Sequence, residues 1–231
     1  MTGQAAIVTG AAGGMGSAIT RRLRSAGMQV AGLDRVPAQG CDLAEELDVS
    51  SHEDVLHAVA RIEAQLGPVE AFVSAAGHYE SVSFTDVTDE QAGRMLRVHL
   101  GGFFAGSRAV LPGMLARGHG TIVAISSELA IGGGASDSHY AAAKGAVLGA
   151  VKSLAAEVAH AGVRVNAVAP GPTNTPMLSA DSPWRAKDYL ETLPARALAE
   201  PEDIALCVEF LVRSGSFMTG ETLHPNSGAV I

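Results

Sequence analysis

Short, nearly unbroken apolar runs recur along this chain, each separated from the next by a longer amphipathic stretch. Ala5–Thr9, Met28–Leu33, Ala71–Ser74, Thr121–Ser126 and Arg164–Val168 carry the pattern of strands buried on both faces. Weaker strands are expected just before Asp48 and at Glu221–His224. Gly14–Ala26, Ser51–Leu66, Thr88–Arg117, Ser138–Ala161 and Pro201–Arg213 read as helices, with Gly162 as a stop after the fourth and Pro201 opening the fifth. Strands without a polar face need cover on both sides, and the alternating helices supply it. The expectation is α/β: a doubly wound parallel sheet of about seven strands, helices on both faces, joined by right-handed crossovers. At 231 residues with no internal repeat, the chain is read as one domain, 1–231.

Composition removes several classes of function. A formal net charge of −8 leaves no basic stripe for phosphates, so neither nucleic acid nor an anionic membrane surface is an expected partner. Cys41 and Cys207 have no metal-like spacing and read as two ordinary thiols; no metal is expected. No apolar run reaches the roughly 18 residues needed to cross a bilayer. Met1 to Gln4 lead straight into a strand without a charged segment, so no secretion signal is read and a cytoplasmic protein is expected. The proline-dense stretch 170–196 is the most irregular, and it reads as a mobile substrate lid at the carboxyl end of the sheet.

The first strand runs into Thr9-Gly10-Ala11-Ala12-Gly13-Gly14-Met15-Gly16 and then a helix. Glycines at such a turn let the backbone and the helix N-terminal amides approach a pyrophosphate, which makes Gly10, Gly14, Met15 and Gly16 candidate dinucleotide contacts. The second strand ends at Asp34, 18 residues beyond Gly16. A carboxylate there accepts from ribose hydroxyls and repels a 2′-phosphate, so NAD(H) is favoured, with NADP(H) kept open by Arg35.

Ser127 precedes Tyr140 by 13 residues, and Lys144 follows Tyr140 one helical turn on. A phenol titrates near 10 in water, and a neighbouring ammonium together with a positive nicotinamide ring favours its ionised form, so Lys144 and the bound cofactor are expected to lower that value. With the glycine turn, Asp48-Val49, Ser74-Ala75-Ala76-Gly77, Asn166-Ala167-Val168-Ala169-Pro170-Gly171 and Thr175-Pro176-Met177, these residues resemble the short-chain dehydrogenase/reductase family over essentially the whole chain. The resemblance implies a Rossmann-type fold and hydride transfer between a secondary alcohol and a ketone. It implies Tyr140 as general acid/base, Ser127 on the same oxygen, and Lys144 on the nicotinamide ribose. Asp48 and Val49 would meet the adenine, Ala75, Ala76 and Gly77 the ribose, and Pro170, Gly171, Thr173 and Thr175 the nicotinamide end. Ser126 is a rival for the serine role. A homo-oligomer, tetramer or dimer, built on the two long helices is also expected.

Three departures stand out. His99 occupies a position where the family usually carries an asparagine in the proton path, so it joins the candidate catalytic residues, with a structural filler as the alternative. The turn 74–77 has lost its amide side chains. Only 13 residues separate Asp34 from Asp48, too few for a full helix. A 3-oxoacyl-thioester reductase using NADPH is the second reading, opposed by Asp34 and the acidic balance. A catalytically silent dinucleotide-binding sensor is the third, opposed by the intact Ser127, Tyr140 and Lys144.

Overall fold

A computed structural model of the chain describes residues 4–231. The reading of the chain's start as free of a secretion signal falls mainly on Met1–Gly3, outside the described residues. Seven strands, β1 (Ala5–Thr9), β2 (Gln29–Asp34), β3 (Leu43–Glu46), β4 (Val69–Ser74), β5 (Gly120–Ile125), β6 (Val163–Val168) and β7 (Thr222–Leu223), form one sheet. Every pairing is parallel and the order is β3-β2-β1-β4-β5-β6-β7, the doubly wound arrangement expected.

Neighbouring residues of one strand serve opposite cores, which is why β1 reads as apolar throughout. Ile7 joins a cluster with Val55, Val59 and Ile62 of α2 (His52–Leu66), Phe103 and Met114 of α4 (Gly102–Arg117), and Val147 and Val151 of α6 (Ser138–Val158). Ala6 and Val8 join the other cluster, with Ile19 and Leu23 of α1 (Gly14–Ser25) and Ile204, Val208 and Leu211 of α8 (Pro201–Arg213). Apolar side chains of these sizes each contribute roughly 1.5–3 kcal/mol when fully buried. The alternation of apolar runs therefore encodes two cores at once.

The expected helix Thr88–Arg117 is a composite. Thr88 and Gln91 form a capping box that opens α3 (Asp89–Leu96). A π-helical turn, Arg97–Gly101, then precedes α4. One extra residue in the turn rotates the helix surface, and it brings His99 inward, 4% exposed. Two short helices, α5 (Leu129–Gly132) and α7 (Lys187–Thr192), had no sequence counterpart because single turns carry no readable period.

The stretch 170–196 is more ordered than its composition suggests. Arg185 donates from its guanidinium to the carbonyls of Leu178, Ser179 and Thr175 and to Asn174 Oδ1, gathering the segment around one side chain. Among the described residues no helix is long and apolar enough to cross a membrane. Both cysteines are free.

Candidate active site

The sheet order reverses between β1 and β4, and a crevice opens there at the carboxyl ends of the strands, where ligands bind in open α/β sheets. Gly10 lies in the left-handed region, φ +68°, and an added Cβ would sit 2.8 Å from the Ala76 backbone. The two strand ends thus approach as closely as backbones can. A Cβ on Gly16 would fall far inside contact distance of the Gly10 carbonyl. The N-terminus of α1 has no side-chain cap and no acidic residue in its first turn. Its free amides and positive end face the crevice, a chemistry suited to an anion such as a pyrophosphate. At the tip of β2, Asp34 Oδ2 accepts from the Ala12 amide at 3.0 Å, which points the carboxylate across the glycine turn.

Two adjoining cavities share Gly10, Asp34, Gly77 and His78. The larger, about 640 Å³, is lined by Gly14, Met15, Gly16, Ala75, His99, Ser127, Tyr140, Lys144, Pro170, Gly171, Thr173 and Thr175. The smaller takes Arg35, Asp48, Val49 and Ala76, together with Arg94, a second arginine that sequence reasoning missed. Every residue singled out from the sequence therefore lines one cavity or the other. The loss of amides in the 74–77 turn is offset locally, since Thr9 Oγ1 accepts from the Ala75 and Ala76 amides at 3.0 and 3.1 Å. No helix forms between Asp34 and Leu43, as the short spacing required.

At the reaction end, the two serines divide. Ser126 Oγ donates to the Lys144 carbonyl at 3.0 Å and ties β5 to α6, whereas Ser127 lines the cavity within hydrogen-bonding reach of the Tyr140 phenol. Lys144 Nζ donates to the Ile125 carbonyl at 2.8 Å and lies 5.7 Å from the centre of the Tyr140 ring. In the protein alone, burial pushes Tyr140 up to about 12, against the opposing pull of Ser127. The same dryness brings Lys144 down to about 7, so it is a weakened cation near neutrality. In the protein alone, one dehydrated crevice penalises both charges.

His99 lies edge-on to Tyr140, ring centres 5.6 Å apart. Its Nε2 is 2.9 Å from the His78 carbonyl, while Nδ1 is buried without a partner. Burial first, and then the Lys144 charge, hold its imidazole well below the ordinary histidine value. The unfolded chain therefore takes up this proton first as pH falls through about 6.5, and the folded state loses stability on the acid side. His99→Asn is expected to remove ~1 kcal/mol of the destabilisation between pH 6.5 and 5.5. Urea melts of both proteins at the two pH values measure this, and equal losses would refute it.

Beyond the reaction end, five further residues shape the cavity. Tyr79 donates to Asp137 Oδ1 at 2.7 Å and packs edge-on to Tyr140, ring centres 5.2 Å apart, and beside Trp184 at 5.5 Å. Glu128 follows Ser127 and is 6% exposed. Trp184, Met177 and Leu178 add apolar lining to the same cavity. Tyr79 and Glu128 each sit just past a recognised motif; that adjacency was the available signal.

Comparison with known proteins agrees with this geometry. A family model described as enoyl-(acyl carrier protein) reductase matches residues 10–229. An acetoacetyl-CoA reductase of Rhizobium meliloti (strain 1021) is 36% identical over 233 residues, covering 96% of this chain and 97% of the relative. Nodulation protein G of Azospirillum brasilense is 36% identical over 242 residues, 99% and 98% of the two chains. The 3-oxoacyl-[acyl-carrier-protein] reductase FabG of Escherichia coli (strain K12) is 34% identical over 238 residues, 98% and 97%. The sheet order with a crevice at its switch point is a Rossmann-type α/β fold, and the relatives add the chemistry. The chain belongs to the short-chain dehydrogenase/reductase family and is an NAD(P)-dependent oxidoreductase acting on CH–OH and keto groups.

Proposed function

We propose that this one-domain protein works in the cytoplasm as an NAD(H)-linked reductase of a small ketone and dehydrogenase of the matching secondary alcohol. The dinucleotide supplies or accepts the hydride when bound. Gly10, Gly14, Met15 and Gly16 would cradle its pyrophosphate, Asp34 and Arg35 its adenosine ribose, and Asp48 and Val49 its adenine. Ala75, Ala76, Gly77 and Lys144 would meet the riboses, and Pro170, Gly171, Thr173 and Thr175 the carboxamide end. Tyr140 gives its hydroxyl proton to the carbonyl oxygen in reduction and removes it in oxidation. Ser127 donates to the same oxygen and so fixes the carbonyl in place. The neutral imidazole of His99 continues the hydrogen-bonded path away from Lys144, and the segment 170–196 closes over the substrate.

What supports the cofactor choice is Asp34, whose carboxylate at the tip of β2, held by the Ala12 amide, would lie beside the 2′ position of the adenosine ribose. Two like charges 4 Å apart repel by about 4 kcal/mol at the effective dielectric of a protein surface. A second reading has its own support. The names of the relatives favour a 3-oxoacyl-thioester reductase, the option ranked second from sequence, and Arg35 and Arg94 both line the adenine-side cavity, where a phosphate would welcome them.

Steady-state reduction of acetoacetyl-CoA and of simple ketones, with NADH and NADPH in turn, separates the two. The expected result is a preference for NADH of at least tenfold in kcat/KM, reversed or abolished in Asp34→Ser. A preference for NADPH in the unaltered protein would transfer the case to the second reading.

A further inference from the structure

Among the described residues, Glu128 is the one carboxylate besides Asp34 that lines the cavity of about 640 Å³. Its Oε2 is buried without a hydrogen-bond partner, although its own backbone amide is spent on the Pro170 carbonyl at 3.0 Å. Burial lifts its carboxyl to about 7. It lines the cavity that holds Tyr140 and also the one that holds Tyr189 of α7, so the carboxyl stands between the reaction end and the segment 170–196. It also lines a neighbouring cavity of about 720 Å³ in which Asp137 and Asp181 are the other charged residues and no Lys, Arg or His appears. A buried, unpaired acceptor costs about 1–3 kcal/mol, which folding alone would remove by a swap to an apolar residue. Such a group at the wall of a substrate space indicates that its partner arrives with the ligand.

We propose that Glu128 is a specificity residue that accepts a hydrogen bond from a donor, a hydroxyl or an ammonium, carried by the substrate close to its carbonyl carbon. The inference rests on the reductase reading above and narrows it to hydroxy- or amino-substituted ketones and their alcohols. Ser127 and Glu128 are consecutive, about 3.8 Å apart at Cα, so a substrate held by one presents its adjoining atoms to the other. A 3-oxoacyl thioester offers only acceptors, a second carbonyl and a sulfur, next to its ketone. The acid-lined neighbouring cavity is equally inhospitable to anionic substituents.

The test is kcat/KM with NADH for 3-hydroxy-2-butanone, 3-amino-2-butanone, 2-butanone and acetoacetyl-CoA, in the unaltered protein, Glu128→Gln and Glu128→Leu. At least one donor-bearing ketone is expected to exceed 2-butanone by 10- to 100-fold, and which of the two does so separates hydroxyl from ammonium recognition. Glu128→Leu brings that ratio down by the same factor, and Glu128→Gln erases any ammonium preference. Urea melts supply the independent arm: Glu128→Leu is expected to be as stable as the unaltered protein or more so, whereas a carboxylate serving the fold would leave a less stable variant. A ratio near one in the unaltered protein, a ratio untouched by either substitution, or acetoacetyl-CoA as the best substrate overturns the assignment of Glu128 alone. Reduction of none of the four by a protein that binds NADH overturns the reductase reading, and this inference with it.

Discussion

Tyr140→Phe lowers kcat for ketone reduction by about 10²- to 10⁴-fold, the usual contribution of a positioned general acid, while NADH still binds. The substitution is unusually clean in this setting. The ring packs perpendicular to Tyr79 and His99, ring centres 5.2 and 5.6 Å apart, and Phe keeps that ring. Only the hydroxyl is lost, and with it the proton that the carbonyl oxygen must receive. In the protein alone that proton is tightly held, since burial places the phenol at about 12. Tyr140 therefore stands ready as the acid across the whole working pH range, and reduction is the direction its resting state suits. The reverse reaction needs the phenolate, so kcat for oxidation is expected to rise with pH through the alkaline range and reduction to stay flat. Stopped-flow turnover with fluorescence titration of NADH measures both quantities. A loss below tenfold, with binding intact, would move the proton transfer to another group.

Gly16→Ala is expected to destabilise the fold by about 1–3 kcal/mol, the cost of overpacking a site that cannot give way. Dinucleotide affinity should fall at least about tenfold with it, because the same turn presents the α1 amides. The new methyl would lie 2.7 Å from the Gly10 carbonyl carbon and 3.0 Å from the Ala11 Cα, both backbone atoms that no rotamer change can move. Gly10 cannot retreat either, since its own Cα face lies against the Ala76 backbone. Gly149 is the internal control: it is helical with open space around it, so Gly149→Ala should be neutral or stabilise by up to ~1 kcal/mol. Urea melts and NADH titrations on both variants decide the matter. Equal behaviour of the two would mean that the glycine turn tolerates a side chain and that the close approach is not essential.

The particular successes and failures of the sequence reading have a common cause. Strands such as Ala5–Thr9 announce themselves because each residue faces one of two cores, so the apolar run is unbroken. Tyr140 and Lys144 are one helical turn apart on α6, and their shared face follows from spacing alone. Reading Thr88–Arg117 as one helix gave its extent but not its π-turn, because a single inserted residue leaves the apolar period nearly intact while turning His99 inward. The expected lowering of the Tyr140 phenol belongs to the protein with its cofactor bound, and burial opposes it in the protein alone. A sequence shows which charges are near one another along a helix, but the depth of the crevice that strips their water is set by every element around it.

What the amino-acid order determined here is local and periodic: two apolar faces per strand, glycines where backbones must touch, a carboxylate at the tip of β2, and a phenol and an amine on one helical face. The meeting of distant segments was decided only in three dimensions. Glu128 becomes a buried, unpaired acceptor because β5 carries it under the segment 170–196, and Tyr79 meets Asp137 across 58 residues of chain. Burial and hydrogen-bond pairing are properties of the packed whole, since water is excluded by all the neighbours together and by none of them singly.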